Sequence, residues 1–152
     1  MDIVHPILRQ WLRRPFHTFI VDDQREWTGL MLWMATQHIG RAVAKASDRD
    51  RIGVYLPTSG AVAAAMAGIW SRGRTVVPLN YLLSHSELDY IIKDAELDVV
   101  LTAGPMIDRF GALPGGVKEI RAENARLRQE MGQLRSALRP RAPRRKQSAT
   151  WQ

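Results

Sequence analysis

Few residues in this chain have the type and spacing that chemistry demands. Thr58-Ser59-Gly60 stands where an apolar strand turns into a helix, the kind of turn whose N–H groups can cradle a phosphate. Phosphoryl chemistry also needs cationic groups around the phosphorus centre, and no lysine lies near the scattered glycines from Gly53 to Gly73. Thr58 or Ser59 is more simply a helix cap, its hydroxyl accepting a hydrogen bond from the first N–H groups of the helix. The histidines, His5, His17, His38 and His85, show no metal-ligand spacing, and there is no cysteine to join them. Asp48 and Asp50 read as a solvated pair closing a helix rather than a magnesium site. Trp11, Trp27, Trp33 and Trp70 are expected to fill core rather than to stack bases.

The elements that must position these residues follow from hydrophobic period and turn chemistry. A short amphipathic helix is expected within Met1–Arg14, with Ile3, Ile7, Leu8, Trp11 and Leu12 recurring at helical spacing. Thr18–Val21 and Arg25–Thr28 flank Asp22-Asp23-Gln24 as a small hairpin. Thr28 caps a long helix over Gly29–Ala46. From Arg51 to Thr102 the chain reads strand, helix, strand, helix, strand. The strands are Ile52–Leu56, Thr75–Pro78 and Asp98–Thr102, and the helices are an alanine-rich Gly60–Arg72 and a segment through Asp94 opened by a Ser84/Glu87 capping box. Right-handed crossovers would lay the three strands parallel in one sheet, an α/β fold.

Charge divides the chain. Residues 1–116 hold 12 Lys and Arg against 12 Asp and Glu, whereas residues 117–152 hold 10 against 3, so the whole net charge of +7 lies in the last 36 residues. Pro114-Gly115-Gly116 is expected to be a linker between them. Beyond it, Val117, Asn124, Met131 and Leu138 occupy heptad a positions, and Ile120, Leu127 and Leu134 occupy d. A single asparagine at a favours a parallel two-stranded seam, so a self-associating helix over 117–138 is one expectation and a lone solvated helix the other. Pro140 ends that pattern, and residues 139–152 make a basic tail expected to be disordered and hydrated, without specific nucleic-acid binding. The first 14 residues form neither a signal peptide nor a membrane span, so the cytoplasm is the expected location.

The spaced features resemble one family. Leu56-Pro57-Thr58-Ser59, the alanine-rich helix, Gly73, Val77-Pro78-Leu79-Asn80, Ser84-His85-Ser86-Glu87-Leu88 and Asp94-Ala95 are together similar to the N-terminal segment of the AMP-forming acyl-CoA and acyl-carrier-protein synthetases, adenylate-forming ligases. The resemblance covers Pro15 to Thr102, and it assigns residues 1–113 to an N-terminal subdomain of such an enzyme. It implies ATP, magnesium and CoA for the complete enzyme, which joins a carboxylate to AMP and then passes the acyl group to a thiol. It implies none of these for the segment present. The family's phosphate loop with its lysine, its aromatic-Gly-x-Thr-Glu motif, its ribose-binding aspartate and its C-terminal catalytic lysine have no counterpart here. The expectation is a fragment inactive alone, either truncated or acting with a separately encoded remainder. A non-catalytic protein dimerising through 117–138 is the alternative.

Overall fold

The computed structural model describes residues 3–121. Helix α1 (Val4–Arg13) leads into an antiparallel hairpin of β1 (Thr18–Val21) and β2 (Glu26–Thr28), and α2 (Gly29–Ala46) follows without a break. Thr28 caps α2 as expected, its Oγ1 accepting the Met31 N–H at 3.4 Å. The chain then alternates β3 (Arg51–Tyr55), α3 (Gly60–Trp70), β4 (Thr75–Pro78), α4 (His85–Asp94), β5 (Val99–Thr102), α5 (Gly104–Phe110) and β6 (Lys118–Arg121).

The four strands β3 to β6 form one parallel sheet in the order β4-β3-β5-β6. Because β4 and β5 lie on opposite sides of β3, right-handed crossovers place α3 on one face and α4 and α5 on the other. Helices α2 and α3 pack together, with α3 against β3 and β4 and α2 reaching β6. Their approach is close because two glycines meet: a Cβ on Gly68 would stand 2.9 Å from the Thr36 carbonyl oxygen, and one on Gly40 would stand 3.0 Å from that of Gly68. Thr36, fully buried, donates its hydroxyl to the Ala64 carbonyl across the same contact. Ile52, Ile69, Leu32, Val43, Val99, Val100 and Leu101 are buried between or within these layers.

The amino end of the sheet is closed by a polar knot. Ser47 Oγ lies 2.8 Å from each Asp98 oxygen and donates to that carboxylate, while the Arg49 N–H donates to Ser47 Oγ and Arg74 Nη1 donates to the Ser47 carbonyl. Gly73, at φ +70°, makes the turn that brings Arg74 there. Helix α4 opens with the expected capping box, Ser84 Oγ accepting from the Glu87 N–H and Glu87 Oε2 accepting from the Ser84 N–H.

The C-terminal expectation changes. Pro114–Gly116 is not a structureless linker but a single 3₁₀ turn, with Pro114 buried and the turn packed against α4. Val117 and Ile120 are not the start of a helix. Val117 precedes β6 and Ile120 lies within it, beside Leu101 of β5, both side chains partly buried against the core. The cause is tertiary: β5 is buried along its length, and its second edge needs a hydrogen-bonded partner that a helix cannot supply. The remaining seam positions, Asn124, Leu127, Met131, Leu134 and Leu138, and the tail over 139–152 lie outside the described residues. Helix α5 was not expected from the sequence; Pro105 in its first turn marks its start.

Candidate functional site

In an open parallel sheet, ligands collect outside the carboxyl ends of strands where successive connections leave in opposite directions. Here β3 continues through α3 to β4 on one side, while its other neighbour β5 continues to β6. The crevice is therefore bounded by Tyr55-Leu56-Pro57-Thr58-Ser59 after β3 and by Thr102-Ala103-Gly104 after β5.

The sequence marks the turn after β3, and its side chains behave differently from expectation. Ser59 has the extended backbone of an N-cap, but neither it nor Thr58 caps α3; Ser59 Oγ donates to the Pro57 carbonyl at 3.1 Å. The cap comes from the hairpin. Gly60 N–H donates to Asp22 Oδ2 at 3.1 Å, and the same oxygen accepts the Trp27 indole N–H at 2.7 Å. Asp22 Oδ1 accepts the N–H groups of Gln24 and Arg25 at 3.0 and 2.9 Å. Burial pushes the Asp22 carboxyl up, but the four donors, led by Gly60 and Trp27, together hold it below the ordinary carboxylate value. Gly60 must be glycine, since a Cβ there would run into the Trp27 indole. The Arg25 guanidinium lies over that ring, 5.1 Å from its centroid. The head of α3, where a phosphate would bind, is thus filled by a carboxylate of the same chain. An anion there also suits the helix dipole.

At the carboxyl ends of β3 and β5, Tyr55 and Thr102 are register partners on adjacent strands. Burial pushes the Tyr55 hydroxyl up. Thr102, 0% exposed, has a hydroxyl with no hydrogen-bond partner among the described residues. These groups carry no charge and offer no nucleophile with a neighbouring base. Among the described residues there is also no cluster of three His, Asp or Glu side chains that could hold a metal. Asp48, Asp50 and His85 are exposed and converge on nothing, and His17 stacks edge-on against Phe19. Trp11 and Trp27 are buried as expected, while Trp33 and Trp70 are half-buried.

Comparison with known proteins places this architecture. The model of the AMP-binding enzyme family matches residues 7–150. The chain belongs to that family. Among solved structures, this AMP-binding enzyme chain is similar to a nonribosomal peptide synthetase in its AMPPNP-bound form, at 23% identity and a TM-score of 0.73, covering 80% of this chain and 13% of that one. It is similar to a benzoate CoA ligase from Burkholderia xenovorans LB400, at 18% identity and a TM-score of 0.70, covering 81% and 26%. It is also similar to a Mycobacterium tuberculosis fatty acyl CoA synthetase, at 23% identity and a TM-score of 0.63, covering 88% and 28%. These likenesses establish the shared fold, and the chain spans less than a third of each of the three proteins. No curated protein matches the chain. The one helix head that the sequence marks for a phosphate is held by Asp22.

Proposed function

We propose that this chain supplies the N-terminal sheet of an adenylate-forming ligase and that carboxylate activation is completed by polypeptide beyond residues 3–121. The observation that carries this reading is the Asp22 carboxylate seated on the Gly60 N–H, which turns an anion site into a fold contact. Membership of the AMP-binding family supports the reaction class, the joining of a carboxylate to AMP at the cost of pyrophosphate release. The chain's span of less than a third of the similar solved proteins supports incompleteness. ATP, magnesium and a thiol acceptor such as CoA belong, on this reading, to the completed enzyme. Polypeptide carrying a phosphate loop and a catalytic lysine is what would complete it.

The test is carboxylate-dependent ATP–pyrophosphate exchange by the purified 152-residue chain, with acetate, benzoate and a medium-chain fatty acid as probes. No exchange above the protein-free rate is expected, nor any shift in melting temperature with magnesium-ATP. Exchange is expected only when a polypeptide bearing the phosphate loop and C-terminal lysine is added. Carboxylate-dependent exchange by the chain alone would overturn the proposal.

A further inference from the structure

Helix α1 carries a surface that the sheet does not account for. Its inner side, Val4, Leu8 and Trp11, packs against the body, with Val4 and Trp11 buried. What remains outside is both basic and apolar. Arg9, Arg13 and Arg14 are exposed, none pairs with a carboxylate among the described residues, and no acidic residue occurs between Ile3 and Thr18. Among them stand Ile3, Ile7, Leu12 and Phe16, exposed by 53%, 36%, 49% and 66%, half of the large exposed apolar side chains in the described residues. At about 100° per residue, Ile3, Ile7 and Arg14 share one flank of the helix, while Arg9 and Arg13 form its outer ridge. On the adjoining hairpin, Asp22 is held by four internal donors and Glu26 accepts from the Thr18 hydroxyl, which leaves Asp23 at the tip as the other acid nearby.

Charge selects the occupant. Residues 122–152 hold 8 Lys and Arg against 2 Glu, so this part of the chain is repelled by α1 rather than drawn to it. A second copy would set arginine against arginine. An anionic partner is required, and the aliphatic and aromatic side chains between the arginines have no use on a nucleic-acid backbone. At a lipid interface they enter the acyl boundary while the guanidinium groups meet the headgroups. We infer that α1 with the following Pro15-Phe16 turn docks the protein on an anionic lipid surface. The net basic residues 122–152 add attraction to the same surface, and one apolar patch plus a basic cluster is the two-signal combination that reversible membrane binding needs. The contact is peripheral: no helix among the described residues is long and apolar enough to cross a membrane. This inference is independent of the ligase reading.

The test is flotation of the full chain with vesicles of equal parts phosphatidylglycerol and phosphatidylcholine, beside pure phosphatidylcholine, at fixed ionic strength. The wild type is expected to float with the anionic vesicles alone. Replacing all three arginines (Arg9→Gln, Arg13→Gln, Arg14→Gln) should weaken binding on the order of a hundredfold, each lost charge near the surface counting roughly fivefold. The corresponding triple Lys variant, which keeps the charge, should float like the wild type. Ile3→Ser with Phe16→Ser should weaken binding roughly tenfold with an unchanged far-ultraviolet spectrum. Wild-type flotation by the triple Gln variant would assign any binding to residues 122–152 and overturn the inference. So would an unaffected Ser variant, loss of binding in the Lys variant, or tighter binding to a DNA duplex than to vesicles at matched salt.

Discussion

Removing the Asp22 carboxylate tests the central structural claim, that the hairpin caps α3. Four donors converge on Asp22, but they are unequal. The Gln24 and Arg25 N–H groups lie at an exposed or partly exposed turn, where water can replace the carboxylate. The Trp27 indole N–H and the Gly60 N–H belong to buried residues, and Asp22→Ala leaves both without an acceptor. A buried donor deprived of its partner costs about 1–3 kcal/mol, so two together with the lost helix-end charge come to roughly 3 kcal/mol. Asp22→Asn keeps one acceptor oxygen and turns an amide N–H₂ toward donors, so it should lose an intermediate amount, about 2 kcal/mol.

The assay is urea unfolding of each purified full-length variant followed by circular dichroism, with the slope compared to confirm that only stability has moved. The pH dependence supplies a second arm. The Asp22 pKa is lower in the folded than in the unfolded chain, so its contribution is complete above the unfolded value of about 3.9 and disappears as pH falls through the lower folded value. The wild type should therefore lose stability in that acid window more steeply than Asp22→Asn, and the two curves should converge at the acid end. Asp22→Ala within 0.5 kcal/mol of the wild type, or Asn costing more than Ala, would refute the capping argument (an order-of-magnitude threshold set against the estimate above).

Two further substitutions probe other contacts. Gly68→Val forces a branched side chain against the Thr36 carbonyl at the α2–α3 crossing and should destabilise by about 2–4 kcal/mol in the same urea assay; a neutral result would mean that the helices are not so close. Ile120→Pro removes an N–H from β6 on the side that faces β5, the side from which the Lys118 N–H donates to the Asp98 carbonyl, so hydrogen exchange should quicken at Val99–Thr102. A helix beginning at Val117 would leave the exchange of those β5 amides unchanged.

How much of this was legible in the sequence depends on whether a signal is local. Gly29–Ala46 emerges with both ends in place because Thr28 caps it and Ser47 stops it within the same stretch. Ser84 and Glu87 announce α4 for the same reason, since the two halves of a capping box lie three residues apart. Short apolar runs between polar caps gave the three central strands and their parallel order. What failed was long-range. Val117 and Ile120 satisfy a helical spacing as well as a strand one, and only the open edge of β5, 19 residues earlier along the register, decides between them. Thr58 and Ser59 have the right chemistry for a cap, yet the acceptor comes from Asp22, 38 residues before Gly60. The local half of that contact was readable, because aspartate at a hairpin turn commonly binds the N–H groups two and three residues on. Its second oxygen, reaching Gly60, had no sequence signal.

Electrostatic magnitudes set the Asp22 contact against a second anion at the head of α3. A helix N-terminus favours an anion by about 0.3–2 kcal/mol, a gain that one carboxylate already collects at Gly60. A phosphate arriving at the same turn would stand near 4 Å from that carboxylate and meet repulsion of roughly 4 kcal/mol at the effective dielectric of a protein surface. No lysine lies within the helix that follows Thr58-Ser59-Gly60 to offset it, and Arg25 lies over the Trp27 ring. On these magnitudes repulsion exceeds attraction, so the Gly60 N–H is expected to keep Asp22 in preference to an arriving phosphate. That contact also fastens the hairpin to the sheet: Asp22 joins β1–β2 to α3 through Gly60 while Trp27 fills the gap that glycine leaves. The same N–H cannot serve a nucleotide and the fold at once, and in this chain it serves the fold.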